Sequence, residues 1–403
     1  MAAPKRPVRD SPLNLRGHAR RLAGQNIVVI GGGFGGVAAA RTARALLDRQ
    51  HTITLLDRAK RTYLCGTFPM LIVGEREAAR VSRSLGSLAN RGIQHVLAEV
   101  HEIDTPSKVV TTSAGTIEYD YLVLAPGAAY NWDAVPGAIG AYSFYDVASA
   151  GQLRRKLSFF RSGRIAIAVS SLPYKCPPAP YEAAMVLDWA FRQRGVREGI
   201  EIHVFTPEQA PLAVAGPTAT TRLTKDMDRR GIRLHMGAAI QEVALSGREA
   251  AFTDGTSLDA DLIITVPAHR VPPIIDAAGL AGEGGWVEVS PETLETRHPG
   301  VYAIGDVNVV PMANGSPLPK AGVFASSEGE TAGRNIAAAI NGTEPAAFPG
   351  AGYCFIAYNG TQAGMVRGEF LAKGKPKVRF QPPTARGFRA KERFERDWRR
   401  FRI

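Results

Sequence analysis

Reactive side chains and phosphate-binding backbone stand out at two places in this sequence: a glycine-rich run near the start and three scattered cysteines. Gly31, Gly33 and Gly36 read GxGxxG, with Phe34 and Gly35 inside the run. At that spacing the first glycine permits a tight turn, the second lets backbone approach a pyrophosphate, and the third lets helix and strand pack closely. Cys65, Cys176 and Cys354 are too few and too far apart for a structural disulfide framework, so each is weighed as a thiol. Lys175 precedes Cys176, and its charge would favour a thiolate there. An inert core thiol is the ordinary alternative and stays open for all three. The histidines fall in no metal-ligand spacing, so no metal site is expected.

The elements around the glycines give them their meaning. Residues 26–30 (NIVVI) form a wholly apolar strand, GGGFGG follows at once, and an Ala-rich helix covers 37–47. A second strand, 51–56, ends at Asp57, 21 residues after Gly36. Strand, glycine turn, helix, strand and acid make a complete dinucleotide-binding unit, in which the carboxylate binds ribose hydroxyls. A second α/β pattern runs from a strand at 164–169 through a helix at 181–193, a strand at 201–205 and an exit strand at 262–266. The chain then returns to the first pattern with a strand at 301–304 and a helix at 322–340. Asn359-Gly360 between 353–358 and 361–370 is a strong hairpin signal. A Pro/Lys-rich stretch, 374–383, then leads to a basic C-terminal helix.

The second α/β pattern lacks its own phosphate turn. Its first strand runs into SSLPYKCPPAPYE, with prolines at 173, 177, 178 and 180 and no glycine. Proline removes N–H donors and stiffens the turn. Its second strand ends at Thr206-Pro207, leaving Glu208 as the nearest candidate for a ribose-binding acid.

The net charge of +12 sits in the two ends. Residues 1–22 hold six Lys/Arg and one Asp, and residues 366–403 hold thirteen Lys/Arg and four acids, so the body is close to neutral. Such ends suit anionic lipid, nucleic acid or an acidic partner. Phe394, Trp398 and Phe401 share one helical face, bordered by Arg393, Arg396, Arg399, Arg400 and Arg402. An aromatic stripe so bordered suits a membrane interface, with packing against the protein itself or a dimer partner as the alternative. No apolar run reaches the ~18 residues of a spanning helix, and the charged N-terminus lacks a secretory apolar segment.

Residues 296–307 (TRHPGVYAIGDV) resemble the second FAD fingerprint of the glutathione-reductase-like superfamily, and 121–127 (YLVLAPG) its third segment, with Pro126 where Thr is usual. The resemblance assigns Gly127, Gly305 and Asp306 to FAD, together with Gly31, Gly33, Phe34, Gly35, Gly36 and Asp57. PYKCPPAPYE and AGYCFIAYNG are similar to segments of the sulfide:quinone oxidoreductase and flavocytochrome c sulfide dehydrogenase family. That resemblance implies that Cys176 and Cys354 form a redox disulfide, with Glu182 close by and Lys320 near the flavin. Sulfide attacks such a disulfide as a soft nucleophile, leaving a persulfide and a thiolate. Cys65 matches a loop whose cysteine carries the flavin covalently in the flavocytochrome branch, although GTFP after it departs from that branch's pattern.

The expected fold is α/β, with two Rossmann-like three-layer dinucleotide-binding domains, the second inserted in the first, followed by a C-terminal hairpin and basic helix. The expected limits are a basic disordered arm at 1–24, an FAD-binding domain at 25–145 and 268–345, a degenerate NAD-like domain at 146–267, and a redox hairpin with membrane-interface helix at 346–403. The expected activity is FAD-dependent oxidation of sulfide or a related sulfur species, with electrons passed to quinone in preference to a cytochrome. The alternatives are a type II NADH:quinone dehydrogenase-like enzyme and a flavin-binding redox-sensing or interaction protein. A peripheral membrane location without a cleavable signal is expected, with no nucleic-acid partner; a homo-oligomer is compatible with the sequence.

Overall fold

The computed structural model describes residues 24–401. The basic arm, apart from Gly24, and Arg402 lie outside the described residues. Along the chain run β1 (Asn26–Ile30), α1 (Phe34–Leu46), β2 (Thr52–Asp57), β3 (Gln94–Leu97) and β4 (Tyr121–Leu124). Then follow β5 (Gly163–Val169), α2 (Ala179–Gln193), β6 (Ile200–Thr206), β7 (Ile232–Met236) and β8 (Leu262–Val266). The chain ends with β9 (Val301–Ala303), α3 (Gly322–Asn341), β10 (Ala351–Ala357), β11 (Ala363–Glu369), β12 (Lys377–Thr384) and α4 (Ala385–Arg399).

The first sheet is wholly parallel, in the order β3-β2-β1-β4-β9. β1 lies at its centre, which is why NIVVI is apolar on both faces and its last four residues are buried. The strand order reverses beside β1, and in such sheets ligands bind outside the carboxyl ends of the strands at that point. The second sheet, β7-β6-β5-β8, is also parallel, and its strands fall in sequence between β4 and β9. The fold is thus mixed α/β with two Rossmann-like sheets.

α1 and α3 pack almost backbone to backbone. A Cβ on Gly329 would stand 2.2 Å from the Gly35 carbonyl, and one on Gly333 would stand 2.7 Å from that of Ala39. The close packing brings both helix N-termini, at Phe34 and Gly322, to the crevice above β1.

The C-terminal piece departs from expectation in two ways. Residues 377–384 form a third strand, so β10-β11-β12 is an antiparallel sheet and not a lone hairpin. Pro382 and Pro383 obscure that strand in the sequence, but β12 is an edge, where a missing N–H costs no ladder bond. The aromatic stripe of the last helix also does not face outward. Trp398 is 1% exposed, with its ring 5.8 Å from that of Phe34. Phe401 lies under the Arg83 guanidinium, which also covers Trp398. The stripe is intramolecular packing, and the outward face of α4 carries Arg386, Arg389, Arg393 and Arg396.

Candidate functional site

A cavity of about 880 Å³ opens along the carboxyl ends of the first sheet. Its floor is the glycine turn. Gly31, at φ +102°, could not carry a Cβ, which would stand 2.1 Å from the Ala125 carbonyl, and a Cβ on Gly36 would meet the Gly31 carbonyl at 1.9 Å. Gly33 is different: no protein atom lies within 4 Å of where its Cβ would be, so its backbone faces open cavity. Gly127 and Gly66, also on the cavity wall, are free in the same way. Asp57 is held by the Gly32 N–H on Oδ2 and the Ala59 N–H on Oδ1, both at 2.7 Å. Phe34 lines the cavity and carries the docked aromatics of α4.

The far end of the cavity is built by the turn after β9 and by Lys320. Gly305 and Asp306 line it. The Lys320 ammonium donates to the carbonyls of Asp306 and Asn308 at 2.8 and 2.9 Å and sits 3.5 Å from the centre of the Trp286 ring. Burial lowers its pKa to about 8. Glu328, which the sequence reading missed, receives the Gly305 N–H and the Asn308 side-chain amide. Burial raises the Glu328 carboxyl to about 7. The helix carries two acids, Glu328 and Glu330, and nothing in the sequence says that the first is the buried one.

Cys176 and Cys354 meet on the wall of the same cavity. They come from different elements, the loop before α2 and strand β10, and each thiol acts on the other's ionisation. Both are free thiols. The neighbouring Cys354 thiol and burial push the Cys176 thiol well up. Cys176 has φ +56°, a left-handed conformation that non-glycine residues seldom adopt and that clusters at functional sites. Its N–H donates to the Lys320 carbonyl and its own carbonyl receives the Ala179 N–H, both at 2.8 Å.

Lys175 does not serve Cys176 as expected. Its ammonium turns toward Tyr130, 4.7 Å from the ring centre, and acts electrostatically on Cys65. Cys65 begins a short helical turn on the cavity wall, and burial raises its pKa despite Lys175. Glu182 is 1% exposed; its carboxyl is pushed up to about 7 by burial, and its Oε1 has no partner. Lys391 of α4, also on the cavity wall, acts on it from the other side and donates to Glu395 at 2.9 Å. Glu395 in turn receives Arg76 at 2.8 Å. A chain of alternating charges therefore runs from Glu182 to Arg76.

The loop after β5 is closed as a phosphate site. α2 opens with prolines at 178 and 180, and Glu208 is turned inward rather than offered to a ribose. Glu208 Oε2 receives the Tyr174 hydroxyl at 2.9 Å and the Tyr181 hydroxyl. Among the described residues, no cluster of His, Cys, Asp and Glu could hold a metal ion.

Comparison with known proteins bears on this geometry. The family model described as pyridine nucleotide-disulphide oxidoreductase matches residues 25–169 and 180–329, and its gap falls on the proline loop with Cys176. Mouse mitochondrial sulfide:quinone oxidoreductase is 22% identical over 299 residues, covering 71% of this chain and 66% of that protein. An alternative NAD(P)H-ubiquinone oxidoreductase of Arabidopsis thaliana is 27% identical over 360 residues, covering 78% of this chain and 67% of that protein. The chain thus spans about two thirds of the length of these relatives. The solved sulfide:quinone oxidoreductase of Aquifex aeolicus has the same fold, with a TM-score of 0.84 at 23% identity over 93% of this chain and 92% of that one. These relationships imply a flavin cofactor. The open glycines, the oriented Asp57 and the Gly305–Asp306 turn along one continuous cavity fit FAD. The chain belongs to the pyridine nucleotide-disulphide oxidoreductase family, as a flavin oxidoreductase whose second dinucleotide turn is replaced by a cysteine-bearing proline loop.

Proposed function

We propose that this enzyme oxidises sulfide or a related small sulfur species through Cys176 and Cys354 and passes the electrons through FAD to a quinone. The observation that carries the reading is the thiol pair on the wall of the FAD-sized cavity, in a protein whose second phosphate turn is filled with proline. In the oxidised pair, hydrosulfide attacks one sulfur. One S–S bond forms, the Cys176–Cys354 bond breaks, and the released cysteine keeps the electron pair as a thiolate. Bound flavin supplies a two-electron acceptor for that pair and a donor to quinone. Gly31, Gly33, Phe34, Gly35, Gly36, Asp57, Gly127 and Gly305–Asp306 would hold it. Lys320 fixes the Asp306 turn through two carbonyls, and Glu182 offers a carboxyl poised to exchange a proton near neutral pH. We also assign Cys65 a covalent link to the flavin, a reading supported by its position on the cavity wall.

A peripheral membrane location accords with this acceptor. No helix among the described residues is long and apolar enough to cross a membrane. The arginine row on α4 is the surface we assign to anionic headgroups.

Anaerobic mixing of the holoenzyme, first with sulfide and then with NADH, tests the reading. Sulfide should bleach the flavin absorbance rapidly, and NADH far more slowly. Fast bleaching by micromolar NADH without a response to sulfide would move the enzyme to the NADH:quinone dehydrogenase class.

A further inference from the structure

A second large opening, a groove of about 810 Å³, lies between α3 and the C-terminal sheet. It shares Val323, Tyr353 and Phe394 with the cavity that fits FAD, so the two are neighbours across one wall. Its floor is one face of β10-β11-β12, and the strand register sorts that face into rows. In one row Glu369 stands opposite Lys377, an opposite-charge pair of the kind that stabilises a sheet. In the next row Tyr353, Arg367 and Arg379 lie side by side across the three strands.

The second row carries a charge conflict. Arg367 and Arg379 are directly opposed, where like charges destabilise a strand pair. Among the described residues neither guanidinium forms an ion pair. Both residues are exposed and line the groove, and Ser326 and Ser327 of α3 line its other wall. Side chains directly opposite have Cβ atoms about 5 Å apart. The two planar forks can therefore grip one tetrahedral anion from two sides, which is how arginine matches phosphate oxygens. The border toward the large cavity is aromatic, with the Tyr353 ring edge-on to Phe394 at 5.9 Å. A phosphate grip beside a tyrosine suits the headgroup level of a bilayer, where amphipathic rings collect.

We infer that this groove seats the phosphate of an anionic phospholipid between Arg367 and Arg379, as a docking point separate from the arginine row of α4. The inference rests on the proposed membrane location and deepens it. A lipid held there brings the edge of the bilayer to Tyr353 and Phe394, which divide the groove from the large cavity, and a membrane-borne quinone would then arrive beside the flavin. It also gives a use to two opposed charges that the sheet alone does not need.

Vesicle sedimentation and urea unfolding test the site. The holoenzyme should co-sediment with phosphatidylglycerol vesicles and not with phosphatidylcholine vesicles. Arg367→Gln combined with Arg379→Gln should weaken that binding about tenfold or more, the scale of losing two cations at an anionic surface. Lys373→Gln combined with Lys375→Gln removes the same charge from exposed positions outside the groove and should weaken it far less. Either arginine change alone should raise the urea midpoint at low ionic strength, because it relieves the opposed charges. Equal weakening by the two double variants overturns the site, as does unchanged binding in the arginine variant. A lowered midpoint in both single variants overturns it too, since the guanidinia would then be holding the sheet. Tight binding of inorganic phosphate, lost in the arginine variant while vesicle binding is unchanged, would assign the groove to a free phosphate in place of a lipid. If vesicles bind through the groove but sulfide fails to bleach the wild-type flavin, the lipid site stands and the proposed activity falls.

Discussion

The backbone N–H of Cys176 donates to the carbonyl of Lys320 at 2.8 Å, and this bond joins two parts of the chain with different tasks. Lys320 fixes the turn that carries Asp306, and Cys176 is one half of the thiol pair. The bond therefore sets the height of one thiol against the cavity through backbone alone.

The thiol pair gives the first expected outcome. Cys176→Ser and Cys354→Ser should each slow sulfide-driven bleaching by at least about a hundredfold, the scale of losing a nucleophile that acts as part of a unit. Both variants should retain FAD, since the glycine turn, Asp57 and the Asp306 turn are unaltered. Stopped-flow traces and the flavin-to-protein absorbance ratio measure the two outcomes. Near-normal bleaching in either variant would exclude a disulfide route.

Much of this arrangement was legible in the sequence, because it depends on local chemistry. A strand that is apolar on both faces, a GxGxxG turn and an acid at the next strand end each report on their own surroundings, and β1, α1 and β2 lie close to where that pattern put them. The errors share a different cause. The spacing of Phe394, Trp398 and Phe401 shows that they share a face but not what covers it, and Phe34, some 360 positions earlier, provides the cover. Lys175 neighbours Cys176 in sequence, yet the left-handed turn at Cys176 sends the two side chains to different partners. Glu328 and the inward turn of Glu208 depend on long-range hydrogen bonds that no local pattern encodes.

Glu208 tests whether the closed proline loop is a structural unit. Glu208→Ala leaves the Tyr181 hydroxyl without its acceptor, while the Tyr174 hydroxyl keeps the Pro177 carbonyl at 3.0 Å. An unsatisfied buried group costs roughly 1–3 kcal/mol, so a loss of about that size in urea unfolding is expected. Reduction by NADH should be no faster. A variant as stable as the wild type would show that the carboxylate does not hold the loop.

Glu182 sets a pH dependence. Its carboxyl rises from 4.5 to about 7 because it is buried. Between those values the folded state binds more protons than the unfolded state, so stability falls as the pH rises through the window. Glu182→Gln removes this contribution. The stability difference should therefore move in favour of the variant between pH 5 and pH 8, by up to about 3 kcal/mol at about 1.4 kcal/mol per unit. Glu328 titrates in the same range in both proteins and cancels in the difference. Parallel stability curves would show that Glu182 is already ionised at low pH.

Cys65 decides how the flavin is held. If it bears a thioether, yellow colour should stay with acid-precipitated wild-type protein and be released from Cys65→Ala. Burial raises its pKa and opposes attachment, while the Lys175 charge acts the other way. Complete release of flavin from the wild type would leave Cys65 as a free thiol on the cavity wall.

The last helix has two faces, and they should respond differently. Its inner face carries Phe394, Trp398 and Lys391, which pack on Phe34 or line the large cavity. Removing residues 386–403 should therefore release FAD as well as any bound membrane, and truncation alone cannot separate the two roles. The outer face can be changed on its own. Arg389, Arg393 and Arg396 are exposed and lie about two turns apart from end to end. Each cation near an anionic bilayer contributes about 1 kcal/mol, so reversing three of them to Glu should weaken binding to phosphatidylserine-containing vesicles by more than about a hundredfold. The effect should shrink as added salt shortens the Debye length. Flavin content and sulfide-driven bleaching should match the wild type, because none of the three lines the cavity. Unchanged vesicle binding in the triple variant would remove α4 from the membrane contact.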